Sequence, residues 1–320
     1  MSTRQPIEKI DSSYGERSLV LIQSRVQSGH MTQILRYSAF TTRPEGGNPA
    51  GVVLDARGLD DEQMQKIATS VGYSETAFAR PVNGKGQRFA VRYFSPRAEV
   101  AFCGHATIAT AVAIAEQQGH GELVFDTPAG SIGVVTDRCQ DGYRATLRSV
   151  PTRSRPATPS DVAKALQTLH WSADDLDPDF PPHVAFAGNE HLVLAARTRH
   201  RLAQLDYDFE DLRDLMTLKG WTTLQLFWRQ NDEIFHSRNP FPIGGVVEDP
   251  ATGAAAAALG GYLRALGHVT AQRTMSIIQG EDMGRPSQLA VTVDPHDPQV
   301  SVAGAAVKIG GDTISRRHSE

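Results

Sequence analysis

Three titratable side chains carry most of the chemistry open to this sequence. Glu75 lies in Gly72-Tyr73-Ser74-Glu75-Thr76-Ala77-Phe78-Ala79, a strand-like run that is apolar on both sides of the acid. A carboxyl buried there without a partner has its pKa raised toward the range of a general acid or base, whereas on an edge strand it simply faces water. His105 and Asp249 each stand where an Ala-rich, helix-like run begins. The positive end of a helix disfavours imidazolium, so His105 reads either as a neutral group that polarises or exchanges a proton, or as a hydrogen-bonded core histidine. Asp249-Pro250 reads as an N-cap followed by the first helical residue, with or without a role on substrate. Cys103 is a candidate thiol base, but the corresponding stretch Glu248-Asp249-Pro250 has no sulfur, which removes any mechanism built on two thiols.

The helix starts have chemistry of their own. Gly104 to Thr107 form the expected first turn of one helix, and Ala251, Thr252 and Gly253 that of the other. Unpaired N–H groups at such ends attract anions. A carboxylate gains about 0.3–1 kcal/mol from the helix dipole when exposed and up to about 2 kcal/mol when partly buried. Two such ends facing one cleft would hold a small acidic molecule while Glu75 moves a proton on it.

The elements that must position these residues repeat once along the chain. Gly47-Asn48 and Gly188-Asn189 each feed a strand; acidic helix starts lead to Gly72 and Gly220; Arg92 is echoed by Arg238; Ala106 to Ala113 resembles Ala251 to Ala258. The order is kept throughout, at separations of 141 to 148 residues. The pattern predicts strands over 32–40, 73–79 and 221–228, and helices with apolar stripes at Met64, Ile67 and Ala68 and at Leu212, Leu215 and Met216. The Ala-rich helices are small or apolar all round, unlike a surface helix, so each is expected to be buried, either inside its half surrounded by curved sheet or sandwiched between sheet and other helices. The fold class expected is α+β. The domain plan is an N-terminal extension at 1–30, a first half at 31–150, a second half at 151–300, and a C-terminal strand and tail at 301–320.

Composition narrows the field. With 320 residues, two domains are the default. A hydrophobic share of 40% and a charged share of 21% are ordinary for a globular chain and exclude a disordered or membrane-embedded one. The net charge of -4 and the lack of a basic, aromatic-interleaved stripe argue against nucleic acid. Two cysteines and no apolar leader run fit a reducing cytoplasm. The histidines and cysteines show no local metal-ligand spacing, and no glycine-rich phosphate loop is present, so neither metal nor nucleotide cofactor is expected.

Five segments in order, Gly47-Asn48-Pro49-Ala50-Gly51, Ser74 to Phe78, Phe102 to Thr107, Glu248 to Gly253 and Gly284 to Ser287, resemble the signatures of the PhzF-like isomerases of phenazine biosynthesis. The resemblance spans residues 31 to about 310. It implies a diaminopimelate epimerase-like fold of two pseudo-symmetric halves, each a β-barrel around a central helix, with the active site between them. It further implies a cofactor-independent isomerase in which Glu75 moves a proton, His105 and Asp249 support or relay it, and Asn48, Gly104, Ala106, Thr252, Gly253 and Ala254 bind substrate. A homodimer is the assembly it suggests. Such proteins commonly carry Ser where this chain has Ala254, so one hydroxyl contact of theirs is missing here and their substrate does not carry over directly. The rival reading is an inactive carboxylate-binding or scaffold protein on the same fold.

Overall fold

The computed structural model describes residues 32–82 and 87–310; the N-terminal extension expected at 1–30 and the tail beyond 310 lie outside them. The chain runs β1 (Leu35–Ala39), β2 (Asn48–Val53), α1 (Asp61–Val71), β3 (Glu75–Pro81), β4 (Arg88–Phe94), β5 (Glu99–Val100), α2 (Gly104–Gln118), β6 (Glu122–Thr127), β7 (Gly130–Cys139) and β8 (Gly142–Arg148). Next come β9 (Arg153–Pro156) and α3 (Pro159–Thr168). The series then returns as β10 (His183–Phe186), β11 (Glu190–Ala195), α4 (Arg199–Ala203), α5 (Phe209–Lys219), β12 (Trp221–Arg229), β13 (Ile234–Pro240), β14 (Glu248–Asp249), α6 (Gly253–Ala265), β15 (Arg273–Gln279), β16 (Ser287–Val293) and β17 (Val300–Lys308).

Strand directions repeat along with the order. β1 is antiparallel to β2, β2 parallel to β3, β3 antiparallel to β4, β4 parallel to β6, and β6 antiparallel to β7. The succession β10, β11, β12, β13, β15, β16 has the same directions. Each parallel pair needs a crossover, and the chain supplies a helix every time. In the first half β7 pairs with β8, β8 with β17 and β17 with β1, so eight strands close a ring. In the second, β9 pairs with β10 and β16 with β17, while Ser149 and Thr152 donate across the remaining seam to the carbonyls of Val300 and Pro298. β17 therefore serves both barrels.

The helices α2 and α6 fill these barrels. Every residue from His105 to Ala115 is buried, as is every residue from Ala255 to Leu263. Small side chains are what let a helix sit inside a ring of strands. A Cβ at Gly261 would overlap the side chain of Thr152, beside the seam. Gly261→Ala should therefore destabilise the protein by about 1–3 kcal/mol although alanine is the better helix former, read as a lower midpoint in urea unfolding. The remaining helices lie outside the barrels. α1 packs Met64, Ile67 and Ala68 on Val53, Phe78 and Phe94, and α5 packs Leu212, Leu215 and Met216 with Leu224 and Leu226. Asp60 and Asp208 cap their first turns, and left-handed Gly72 and Gly220 end them.

Three expectations shift. The first strand is shorter than 32–40, and β3 begins at Glu75 rather than at Tyr73. α6 begins at Gly253 with Thr252 as its N-cap, so Asp249 is not the cap and Ala251 lies ahead of the first turn. Finally, Val100 pairs with Tyr93 as Asp249 pairs with Asn239, and each helix cap follows three residues later. The true partner of Cys103 is thus Thr252, one helical turn beyond the alignment of Ala106 with Ala251. An Ala-rich helix moved by one turn presents the same small residues on the same face, so its sequence does not set the register.

Candidate active site

Glu75 opens β3 with 17% of its side chain exposed, less buried than its apolar neighbours suggest. It is also not alone. Its Oε2 lies 3.4 Å from Nε2 of buried His105 and 3.5 Å from Cys103 Sγ. Cys103 Sγ is 3.3 Å from His105 Nδ1, and Ser74 Oγ is 3.3 Å from His105 Nε2. Cys103 caps α2, and its carbonyl accepts from both the backbone N–H and the hydroxyl of Thr107. The Thr107 oxygen in turn sits 2.6 Å from the hydroxyl of buried Tyr93 on β4. Barrel wall and helix start are thereby tied together beneath Glu75.

Asp249 comes from the second half. Its Oδ1 accepts from Asn48 Nδ2 at 2.7 Å and its Oδ2 from the Thr252 hydroxyl at 2.6 Å. Asn48 also donates to the Ala251 carbonyl, so one residue of the first half holds the approach to α6. Gln279 straps the same turn: Nε2 donates to the Asp249 carbonyl, and Oε1 accepts from Thr252 N–H. Asn48 is itself placed by a joint. Arg285 donates from Nε and Nη2 to the carbonyls of Gly47 and Gly46, each at 2.8 Å, and Gly47 N–H donates to the Pro286 carbonyl. Gly47 is left-handed at φ 69, and a Cβ there would run into the Ala39 carbonyl.

Burial sets the charge states. It pushes the Asp249 carboxyl up to about 7; hydrogen bonds from Thr252 and Asn48 oppose this, and the negative charge of Glu75 adds to it. Burial holds His105 below its ordinary value against the pull of Glu75. Burial, then the charge of Glu75, pushes the Cys103 thiol well up, and Asp249 contributes as well. Near neutral pH the imidazole is neutral, the thiol keeps its proton, and Asp249 is close to its midpoint. The negative charge of Glu75 acts on both Cys103 and Asp249, although the residues belong to different halves.

A carboxyl whose folded pKa lies above its unfolded value costs stability as it ionises. For Asp249 that loss runs from its unfolded pKa of about 4 up to about pH 7 and is complete above it. His105 and His191, held neutral in the fold, work in the opposite direction at and below about pH 6.5. The quantity to read is therefore the difference between wild type and Asp249→Asn. Across pH 4–7 the urea midpoint of the wild type should fall relative to that of the variant, and an unchanging difference would contradict this charge state.

Both buried helices begin without a side-chain cap, at Cys103 and at Thr252, whereas α1, α3 and α5 are capped by Asp60, Thr158 and Asp208. First-turn amides at Gly104 and at Gly253 and Ala254 are thus left for another acceptor. Ala106 also lies in the first turn of α2 and is fully buried. Glu75, His105, Asp249, Asn48, Gly104, Thr252, Gly253 and Ala254 all fall within this cluster of elements, with Ala254 in the first turn of α6. Sequence reasoning passed over Gln279 and the coupling of Cys103 to Glu75. Neither has a local signal, since each arises from segments far apart in the chain.

Comparison with known proteins covers almost all of the described chain. The PhzC-PhzF family model, described as phenazine biosynthesis-like protein, matches residues 37–311. An uncharacterized isomerase, YddE of Escherichia coli O157:H7, is 33% identical over 287 residues, covering 86% of this chain and 95% of its own. The trans-2,3-dihydro-3-hydroxyanthranilate isomerase of Pseudomonas chlororaphis is 31% identical over 281 residues, covering 86% of this chain and 96% of its own. A crystal structure of the Bacillus anthracis phenazine biosynthesis protein of the PhzF family superposes with a TM-score of 0.78 at 25% identity, over 87% of this chain and 96% of that one.

Proposed function

This chain belongs to the phenazine biosynthesis-like PhzC-PhzF family and is an isomerase, and from that premise we propose that it moves a proton within a small carboxylate-bearing substrate with Glu75 as the acid and base. Glu75 takes a proton from a carbon beside an unsaturated or carbonyl-like system and returns it to another position of the same molecule. The electron pair left behind is delocalised and collects the proton at its other end. Atoms and charge balance without any further reactant, since the product is an isomer of the substrate.

The observation that carries this reading is that Glu75 stands 3.4 Å from His105 in the first half and that its negative charge reaches buried Asp249 of the second. Neutral His105 supports Glu75 and polarises the reacting system. Asp249, near its midpoint at neutral pH, donates to or accepts from a substrate group. The uncapped first turns of α2 and α6 hold the carboxylate. Asn48 keeps the Asp249 side chain aimed at the cleft. Ala254 offers no hydroxyl, which supports a substrate different from that for which the Pseudomonas chlororaphis relative is named.

The test is a screen of acidic cyclic amines and amino acids in heavy water, followed by mass spectrometry. Uptake of deuterium at carbon, dependent on Glu75, is the expected result. Ligands that bind with no exchange at all would leave the inactive carboxylate-binding protein as the better description.

A further inference from the structure

The far end of the second barrel holds a cavity of about 170 Å3, enclosed by Phe180, the turn between β12 and β13, the C-terminal end of α6 with the loop that follows it, and the start of β15. The 13 residues of α6 separate it from the first turn of that helix by about 20 Å, so it is distinct from the candidate active site. Its floor is apolar: Phe235, Leu263, Val269 and Met275 are each no more than 4% exposed. One wall is flat, because Phe180 lies against His268 with ring centroids 4.8 Å apart and an interplanar angle of 30°. Charge at the rim is not balanced. Arg229 is ion-paired with Asp232, and its guanidinium also lies over the Phe180 ring, 5.8 Å from the centroid. Arg273, partly buried at the start of β15, is left over: among the described residues no hydrogen bond, ion pair or ring contact engages its guanidinium.

We propose that this cavity is a second binding site, for a small planar aromatic carboxylate. An apolar cavity of about 150 Å3 accepts a benzene ring, so this one has room for a single ring. That ring lies against the wall of Phe180 and His268 in the offset or tilted stacking that aromatic groups prefer. Its carboxylate accepts from the Arg273 guanidinium, whose fork of N–H donors matches two carboxylate oxygens. The two demands select the ligand together. A ring without charge leaves Arg273 unanswered, and an inorganic anion leaves the apolar floor uncovered. Glu75, His105 and Asp249 stand at the other end of α6, so the site binds its ligand without transforming it.

The experiment follows the Met275 methyl group by NMR in the full chain labelled at its methionine methyls, with the signal assigned through Met275→Leu. Benzoate, the probe, should shift this signal saturably through the ring current of the entering ring. Arg273→Gln should weaken that binding by about 10–100-fold, the usual worth of a hydrogen bond to a charged group. Benzyl alcohol, the ring without the charge, should bind the wild type about as weakly as benzoate binds Arg273→Gln, which tests the same demand without any variant. Inorganic phosphate, the charge without the ring, should fail to displace benzoate at equal concentration. Glu75→Gln should leave the titration of Met275 unchanged. Absence of a saturable Met275 shift, equal benzoate affinity in Arg273→Gln, or displacement by phosphate each overturns the site. Because binding is read without turnover and away from Glu75, that failure would leave the proton-transfer role of Glu75 standing, and the reverse holds equally.

Discussion

Glu75→Gln is expected to lower turnover by about 10²–10⁴-fold, the usual worth of a positioned proton-transfer group, and to abolish deuterium uptake. At about 1.4 kcal/mol per factor of ten this is roughly 3–5 kcal/mol of barrier. Gln has the same shape, and the side chain is partly exposed, so the urea midpoint should barely move. The separation of the two readouts is what makes the test specific. A structural role would shift stability along with rate; a role confined to proton transfer lowers kcat and leaves the fold intact. Near-normal turnover in the variant would remove Glu75 from the chemistry and shift attention to Asp249.

Arg238→Met is expected to destabilise the protein by about 3–5 kcal/mol, the cost of leaving a buried charge without its partner. Arg238 and Glu248 are both almost fully buried and pair through two guanidinium nitrogens, Nε to Oε1 at 3.0 Å and Nη2 to Oε2 at 2.5 Å. Arg238 Nη1 also donates to the carbonyl of Ala203 at the end of α4. Glu248 directly precedes Asp249, and its charge already raises the Asp249 pKa, so removing Arg238 should raise it further. Adding Glu248→Leu to Arg238→Met removes the stranded charge and should recover most of the lost stability, measured by urea unfolding of both variants. If the double variant were as unstable as the single, the loss would come from packing around Arg238 rather than from the buried charge.

The joint between the halves explains why short motifs far apart in the chain depend on each other. Arg285 and Pro286 hold Gly46 and Gly47, that turn aims Asn48, and Asn48 holds Asp249. Each link is a hydrogen bond to backbone or to a carboxylate, so each fixes direction as well as distance. Such a chain fixes where the Asp249 carboxyl stands relative to the first half.

Much of this was legible beforehand because it is local. Apolar stripes at Met64, Ile67 and Ala68 and at Leu212, Leu215 and Met216, closed by Gly72 and Gly220, define helices through spacing alone. The ordered recurrence of turns, strands and helices implied a duplicated scaffold, and the small residues around α2 and α6 implied helices buried in sheet. The start of α6 was not legible, because Asp-Pro is a strong capping signal and only the strand pairing of Asp249 with Asn239 moves the cap to Thr252. Nor was the closure of both barrels by β17, which beyond its local hairpin with β16 depends on pairing with β1 and β8 and on hydrogen bonds from Ser149 and Thr152, segments well over a hundred residues away. Residue types and short-range periodicity determined which groups have chemistry and which elements carry them. The tertiary structure alone decided that Cys103 and His105 stand against Glu75, that Gln279 straps Asp249, and how burial sets their protons, since proximity and desolvation come from long-range packing that no local pattern encodes.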